Sequence, residues 1–310
     1  MMRFRRLLRG VACTKFAGKA EMNLVSAGLA ARATICCCVL CFSALMPSKV
    51  QAQPPVPTYI GQTKFNNGQD VVPVYEGWLR NSDGSFTFVF GYFNRNWKEE
   101  PVIPAGPENR LEPGDVDRGQ PTYFLPRRQS FVFRVRVPAD WGQKELVWSL
   151  TAHGRTEKAF ASLLPVEEIT ERMIMTRGGL FPGEDDPNQP PQITISPVAS
   201  ASVGQAVTLT ALVTDDGLPK PRAPRAPKPG AAPAQSNGAG ARPRGGLSVT
   251  WMEYRGPAKV TFDSGGPIGV TGGQAVASAQ FSEPGTYVLR ATASDGALST
   301  KAEITVSVKP

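Results

Sequence analysis

The chain has 310 residues, with 34 Lys and Arg against 26 Asp and Glu, and a formal net charge of +8. Residues 1–52 hold eight of the basic residues and one of the acids, so residues 53–310 carry a net charge of only +1. A nucleic-acid-binding protein is therefore not expected, because such proteins carry their positive charge on the folded domain. All five cysteines also lie in 1–52. This excludes a disulfide scaffold, a thiol nucleophile and cysteine metal ligands for the remainder.

The first feature in chain order is an uncharged apolar run, ATICCCVLCFSALM, at residues 33–46. It is shorter than the ~20 residues that span a bilayer and is typical of a signal-peptide core. Residues 50–52 (VQA) offer a small-residue cleavage pattern, so we expect a signal peptide at 1–52, with Met22 as an alternative initiator. An uncleaved membrane anchor is the alternative interpretation. We expect no transmembrane segment after cleavage, and a periplasmic, extracellular or cell-surface location.

Period-two alternation of apolar residues dominates the rest of the chain, which predicts an all-β protein. Residues 74–80 and 85–93 flank the turn signal NSDG and are predicted to form a hairpin. Residues 165–176 are a helical candidate, with a strand as the alternative. Short runs separated by turn signals in the second half are typical of a β-sandwich. The predicted strands of this half are 192–198, 206–214, 247–254, 258–263, 274–281, 285–293 and 298–308.

We therefore predict two β-sandwich domains after the signal peptide, joined by a linker rich in Gly, Pro and acidic residues. An insertion at 217–246 has six basic residues, no acid and mostly Pro, Gly and Ala, so we expect it to be disordered. It is either a weak contact for an anionic surface or simply a tolerated loop. The predicted boundaries are a Pro-rich lead-in at 53–58, a first domain at 59–176, the linker at 177–191 and a second domain at 192–310.

The segment GTYVLRATASDG (285–296) resembles the penultimate strand of bacterial immunoglobulin-like and PKD-like extracellular domains. Tyr287 precedes Leu289 by two residues, which is the spacing of a tyrosine corner, and Trp251 lies where such domains bury a tryptophan. The resemblance implies an Ig-like sandwich that acts as a spacer or adhesion unit rather than as a catalyst. The first unit resembles N-terminal β-modules of exported environmental bacterial proteins, which implies no particular function.

The most unusual segment is the 94–128 loop, which has six prolines and twelve charged residues between two predicted strands. Loops of this length are mostly functional or wrongly assigned, so we expect one or two short strands near 100–103 and 122–125, with the rest of the loop as a candidate binding surface. Aromatic rings stack on the apolar face of a sugar, while amides and charged groups bind its hydroxyls. The alternative is a loop packed across one end of the sandwich. The predicted ligand-binding residues are Trp97, Tyr123, Asn94, Asn96, Arg110, Arg127 and Arg128.

Acidic residues of the same loop suggest two further chemistries. Asp115 and Asp117 are a weak calcium candidate through carboxylate oxygens, but the other EF-hand positions are missing, so we predict no metal and no cofactor. Glu99, Glu100 and Glu112 are the candidate carboxylates of a carbohydrate hydrolase, a chemistry that needs a fixed carboxylate separation and a raised pKa.

The composition and these motifs together favour a non-enzymatic, exported binding or adhesion module at or outside the cell envelope. Its predicted partner is an envelope polysaccharide or a protein, and not a nucleic acid. A structural spacer or an accessory subunit of an envelope protein complex is the alternative, with a carbohydrate hydrolase as the remote one.

Overall fold

The computed structural model describes residues 64–177, 185–198, 200–220 and 246–310. The predicted signal peptide, the Pro-rich lead-in and most of the basic insertion lie outside the described residues. Within the described part nearly all of the regular secondary structure is β-strand, which confirms the predicted all-β sandwich fold. No helix in these segments is long and apolar enough to cross a membrane.

The first sandwich is built from two antiparallel three-stranded sheets, with strand orders β1-β2-β4 and β3-β5-β6. The predicted hairpin is confirmed, because β1 pairs with β2 along its length. In its turn, the amide of Gly84 donates to the carbonyl of Asn81. The strands are β1 (Val71–Arg80), β2 (Phe86–Asn94), β3 (Asn109–Glu112), β4 (Arg127–Val137), β5 (Leu146–Ala152) and β6 (Arg155–Ala161).

Aromatic side chains fill the space between these two sheets, as the period-two pattern predicts. Phe90 stacks on Phe133 with ring centroids 5.1 Å apart, and Phe133 meets Trp148 edge-on at 4.8 Å. Phe88 meets Trp141 edge-on at 5.9 Å. Such pairs add to the large apolar area that these rings bury, so this half needs no disulfide for its core.

The helical candidate at 165–176 is a short helical segment rather than a strand. Pro165–Glu167 forms one 3₁₀ turn, and Glu171–Met175 forms the helix α1. The hydroxyl of Thr170 caps α1 by accepting a hydrogen bond from the Met173 amide. Ile174 is the buried residue of α1 and joins a small apolar cluster on the outer face of the β1-β2-β4 sheet.

The second sandwich has the strand arrangement of immunoglobulin-like domains, with orders β12-β10-β14-β15-β8 and β11-β13-β9-β7. All seven predicted strands are present, and two short strands, β8 and β12, were not predicted. The strands are β7 (Gln192–Ile195), β8 (Ala201–Ser202), β9 (Ala206–Thr214), β10 (Ser248–Arg255), β11 (Val260–Phe262), β12 (Ile268–Gly269), β13 (Gln274–Phe281), β14 (Gly285–Ser294) and β15 (Ser299–Lys309).

The residues that carried the Ig-like resemblance occupy the expected positions. The hydroxyl of Tyr287 donates to the Glu283 carbonyl at 2.9 Å, which is the tyrosine corner predicted from the sequence. Trp251 is buried on β10, and Leu209 and Leu289 are fully buried on the two facing sheets. The core of this half is therefore aliphatic and Ala-rich around a few aromatic rings, in contrast to the ring-filled first sandwich.

Candidate functional site

Two asparagines of the predicted ligand set lie inside the protein. Asn94 and Asn96 are both 0% exposed. Asn94 Nδ2 donates to the carbonyls of Glu99 and Phe124 at 2.8 and 3.0 Å, and Asn96 Nδ2 donates to the Gln69 carbonyl at 2.8 Å. Both amides therefore hold the ends of the 94–128 loop in place and are closed to a ligand in this conformation.

Tyr123 is also buried, at 3% exposure. Its hydroxyl donates to a carboxylate oxygen of Glu100, and its backbone forms an isolated β-bridge with Val102. Short strands were expected near 100–103 and 122–125, and the structure has this single bridge in their place. The next residue, Phe124, packs edge-on against Tyr92 at 4.9 Å. Both rings thus fill the core, as the packed-loop alternative predicts.

Trp97 is the aromatic residue of the predicted set that reaches the surface, at 42% exposure. Arg127 lies over its ring at 4.3 Å and Lys64 at 4.7 Å, both measured to the ring centroid. Arg127 also donates to the Arg95 carbonyl at 3.0 Å. Cation–π contacts of this kind hold exposed rings in place, so part of the surface that a sugar would use is already in contact with the protein.

The other two arginines of the predicted set have protein partners. Arg110 donates to the Pro107 carbonyl at 2.6 Å and forms an ion pair with Glu112 at 3.2 Å. Arg128 forms two hydrogen bonds to the Glu76 carboxylate, at 2.8 and 2.9 Å. The seven predicted residues are thus spread over different environments and do not converge on one pocket.

The two calcium candidates of the loop, Asp115 and Asp117, also lie in different environments. Asp117 pairs with Arg255 at 2.6 Å, whereas Asp115 is exposed. Among the described residues, no group of three or more His, Cys, Asp or Glu side chains is arranged to hold a metal ion.

The three candidate hydrolase carboxylates each have a different partner. Glu99 contacts His153 at 2.9 Å, Glu100 pairs with Lys259 at 2.6 Å, and Glu112 pairs with Arg110. In the described part of the chain, none of the three carboxylates lines either of the two recesses described below.

The 94–128 loop docks onto the second sandwich, which no sequence pattern indicated. The amides of Thr122 and Tyr123 donate to the Tyr254 carbonyl at 3.2 and 3.4 Å, and the Tyr254 hydroxyl donates back to the Gly119 carbonyl. The Gly256 amide donates to the Thr122 hydroxyl at 3.1 Å. Since Tyr254 is buried in the core cluster of the first sandwich, the loop joins the two sandwiches into one body.

This docking leaves a recess of about 480 Å³ between the sandwiches. β4 and α1 form one wall, and β10, β14 and β15 form the other. A recess of this size with apolar walls and a few convergent polar groups is a default candidate for a ligand site. Its lining includes Phe131, Val132, Phe133, Arg134, Glu171, Ile174, Met175, Tyr254, Arg290, Ser299, Thr300, Lys301 and Glu303.

Most of the charged groups in the recess are paired with each other. Arg134 binds the Glu171 carboxylate through two hydrogen bonds, at 2.6 and 2.7 Å. Arg290 is 5% exposed; its Nε donates to Glu303 at 2.9 Å, and one terminal nitrogen donates to the Val132 carbonyl at 2.7 Å. These pairs neutralise one another, so they shape the wall of the recess more than its net charge.

Lys301 is the cation of the recess that has no carboxylate within ion-pair distance among the described residues. Its Nζ donates to the Phe131 carbonyl at 2.5 Å, and its side chain keeps access to solvent. The protein packed around it lowers the pKa of Lys301 to about 7, and the positive charges of Arg290, Arg177 and Arg134 add to this effect. The negative charge of Glu303 opposes it. An anion in the recess would supply the missing counter-charge.

Sequence reasoning missed Arg290 and Lys301 because both lie on strand faces that the period-two pattern assigns to solvent. One signal was present. Arg290 is the one charged residue of the strand GTYVLRATAS. A single charge on a strand face that is otherwise uncharged is compatible with that face being covered by another part of the protein.

Comparisons with known proteins leave the family of this chain open. No protein-family model matches it, and no curated protein matches it. The solved structures with weak similarity include a conjugative transposon lipoprotein from Bacteroides eggerthii DSM 20697, the D00-D0 domain of intimin, and a chimeric titin Z1Z2.

The lipoprotein is 10% identical, with a TM-score of 0.25 over 38% of this chain and 96% of its own. Intimin is 11% identical, with a TM-score of 0.25 over 78% of this chain and 100% of its own. The titin chimera is 12% identical, with a TM-score of 0.22 over 78% and 99%. Likenesses this low carry no argument about function, so the fold assignment rests on the strand order and the tyrosine corner.

Proposed function

We propose that this protein is a non-enzymatic binding module that works outside the cytoplasm and binds an acidic polysaccharide of the cell envelope in the recess between its two sandwiches. The observation that carries the proposal is Lys301. It projects into the recess without a carboxylate partner among the described residues, while the other cations of the lining are paired.

The chemistry of the lining suits an acidic sugar. Lys301 would pair with the sugar carboxylate, and the Ser299 hydroxyl, which donates to the Met175 carbonyl at 3.0 Å, would accept a hydrogen bond from a ring hydroxyl. Ile174 and Met175 provide an apolar wall for the carbon face of the ring. The volume of about 480 Å³ lies within the range of small-ligand pockets. Export is supported by the apolar run at 33–46 and by the lack of cysteine after residue 41.

The test is retention of the purified protein on an immobilised polyuronate, with a neutral glucan as the reference matrix. Because Lys301 titrates near neutrality, we expect retention at pH 6 to exceed retention at pH 8, since the protonated amine binds the carboxylate. Lys301→Met should lower the affinity about tenfold or more, which corresponds to loss of one charge-assisted contact. Lys301→Arg should retain binding at both pH values, because a guanidinium stays charged.

Lys309→Met is the matched control, since Lys309 is an exposed lysine on the same strand as Lys301. It should bind as the wild type does. Equal retention of wild type and Lys301→Met would overturn the proposed site.

A structural spacer is the second candidate function, and the docking of the sandwiches favours it. Contacts from Tyr254, Arg255 and Lys259 fix the second sandwich against the first, and a spacer needs such a fixed geometry. A spacer would be indifferent to both lysine substitutions and would bind neither matrix.

A further inference from the structure

Three oxygen-bearing side chains from distant parts of the chain meet at the end of the second sandwich. Asn188 lies in the linker, Asp215 follows β9, and Asp295 lies in the turn between β14 and β15. Asn188 Nδ2 donates to Asp295 Oδ2 at 3.0 Å. Asp215 and Asp295 both line a second recess, of about 410 Å³.

Two oxygens of this cluster are buried and have no hydrogen-bond partner among the described residues. Asn188 Oδ1 and Asp215 Oδ1 are both closed to solvent, and neither accepts a hydrogen bond within the described chain. Asn188 is 2% exposed and Asp295 is 3% exposed. A buried acceptor with no donor is costly, and native structures hold few of them, so each one calls for an ion or a water.

Within the described part of the chain, the two carboxylates of the cluster accept from backbone amides and have no cationic partner. Asp215 Oδ2 accepts from the Gly217 amide at 3.0 Å, and Asp295 Oδ1 accepts from the amides of Ala297 and Leu298 at 2.6 and 2.7 Å. Across the described segments, no Lys or Arg forms an ion pair with either carboxylate.

We infer that Asn188, Asp215 and Asp295 bind a calcium ion, with the amide oxygen of Asn188 and one oxygen of each carboxylate as protein ligands. Calcium accepts carboxylate and amide oxygens in flexible geometry and completes its shell with backbone carbonyls and water. Magnesium demands a near-ideal octahedron and retains its waters, which suits this set less well. Since only two carboxylates contribute, we expect a dissociation constant of about 10⁻⁴ to 10⁻³ M, the range of extracellular modules.

Such an ion would fasten the linker to the second sandwich. Arg172 of α1 donates to the carbonyls of Asp186 and Asn188 at 3.4 and 3.5 Å, so the linker is already held on its other side by the first sandwich. The calcium site would thus add a second fixed point to the docking by Tyr254. The calcium site lies at a different recess from the one that contains Lys301, so each proposal can be tested independently of the other.

The test is thermal unfolding of the purified protein in EDTA, in 5 mM calcium chloride and in 5 mM magnesium chloride. Calcium should raise the midpoint by about 3–5 °C, as mass action predicts for a ligand at roughly ten times its dissociation constant. The rise from magnesium should be less than half as large. Isothermal titration of calcium into the EDTA-treated, dialysed protein should show one site.

Asp215→Asn should abolish the calcium-dependent rise while keeping a midpoint in EDTA at least as high as that of the wild type, since it removes the repulsion between the neighbouring carboxylates of Asp215 and Asp295. Asp140→Asn is the control, because Asp140 is exposed on the first sandwich; it should keep the full calcium response. The inference is overturned if the wild type shows no calcium-dependent rise and no titration heat, or if Asp215→Asn responds as the wild type does.

Discussion

The guanidinium of Arg290 lies over the ring of Tyr254, with its central carbon 3.7 Å from the ring centroid. Both residues belong to the second sandwich, yet Tyr254 is packed in the core cluster of the first and Arg290 donates to the Val132 carbonyl of β4. This stacked pair is the centre of the junction between the two sandwiches. The recess with Lys301 lies beside it, so the junction also shapes the proposed binding site.

Arg290→Met should destabilise the protein by about 3 kcal/mol. The substitution leaves the Val132 carbonyl and the Glu303 carboxylate without their donor and removes the cation from Tyr254. The measurement is urea unfolding followed by tryptophan fluorescence.

Arg80→Met is the matched control for this measurement. Arg80 also lies over aromatic rings and pairs with Glu168, but its side chain is 58% exposed, so its loss should cost less than about 1 kcal/mol. Equal costs for the two variants would contradict the assigned role of Arg290.

Gly77→Ala should destabilise the first sandwich by about 3 kcal/mol. Gly77 has φ of +127° at the bulge of β1, where side chains are strained, and an added Cβ would lie 2.5 Å from the Glu167 carbonyl oxygen. Gly265→Ala, which meets open space, should change stability by less than about 1 kcal/mol. Chemical denaturation of both variants gives the comparison, and a nearly neutral Gly77→Ala would refute the close approach of the 3₁₀ turn to β1.

Trp97→Ala and Tyr123→Ala should differ sharply, although both rings belong to the predicted ligand set. Trp97 is partly exposed and loses mainly contacts with Arg127 and Lys64, at a cost of about 1 kcal/mol. Tyr123 is buried at 3% exposure, so its removal should cost about 3–5 kcal/mol. Urea midpoints of the two variants decide the point; a larger loss for Trp97→Ala would place the loop differently.

Stability should fall as the pH rises from about 4.5 to 7 because of Glu253. Burial and the nearby charge of Glu100 raise the pKa of Glu253 to about 7, while its value in the unfolded chain stays near 4.5. In this window the folded state binds more protons than the unfolded state, so deprotonation favours unfolding, by up to about 3 kcal/mol at pH 8.

Glu253→Gln should remove this component of the pH profile and raise the free energy of unfolding at pH 8. Its side chain can still accept the hydrogen bond from the Val260 amide, which Glu253 accepts at 2.8 Å. Exposed Glu145→Gln should leave the profile unchanged. Unfolding free energies measured from pH 4 to pH 8 test this; parallel profiles for wild type and Glu253→Gln would show that Glu253 does not titrate in that range.

Local patterns in the sequence predicted most of the strands, because apolar and polar residues alternate along a half-buried strand. This alternation predicted the hairpin of β1 and β2 and the seven strands from residue 192 onward. The tyrosine corner was also predictable, since Tyr287 and Glu283 are only four residues apart. The bounds of the domains stay a prediction, as do the signal peptide and the disorder of the insertion.

The role of the 94–128 loop could not be read in the same way. Its composition suits both a sugar site and a packed segment, and only the positions of its partners decide between them. Asn94 and Tyr123 are buried because the two arms of the loop close on each other, so that Asn94 meets the Phe124 carbonyl and Tyr123 meets the Glu100 carboxylate. The weak calcium candidates Asp115 and Asp117 also have different environments, because Asp117 pairs with Arg255, 138 residues away.

The sequence by itself thus determined the all-β class, the hairpin, the Ig-like strand pattern and the aromatic core, because each depends on residues close together in the chain. The tertiary structure alone decided the docking of the sandwiches, the recess around Lys301 and the oxygen cluster of Asn188, Asp215 and Asp295. Each of these features includes at least one pair of groups more than 100 residues apart in the chain. Their ion pairs and hydrogen bonds form only when folding brings the partners together and excludes water. The local periodicity of the sequence does not show which residues will meet.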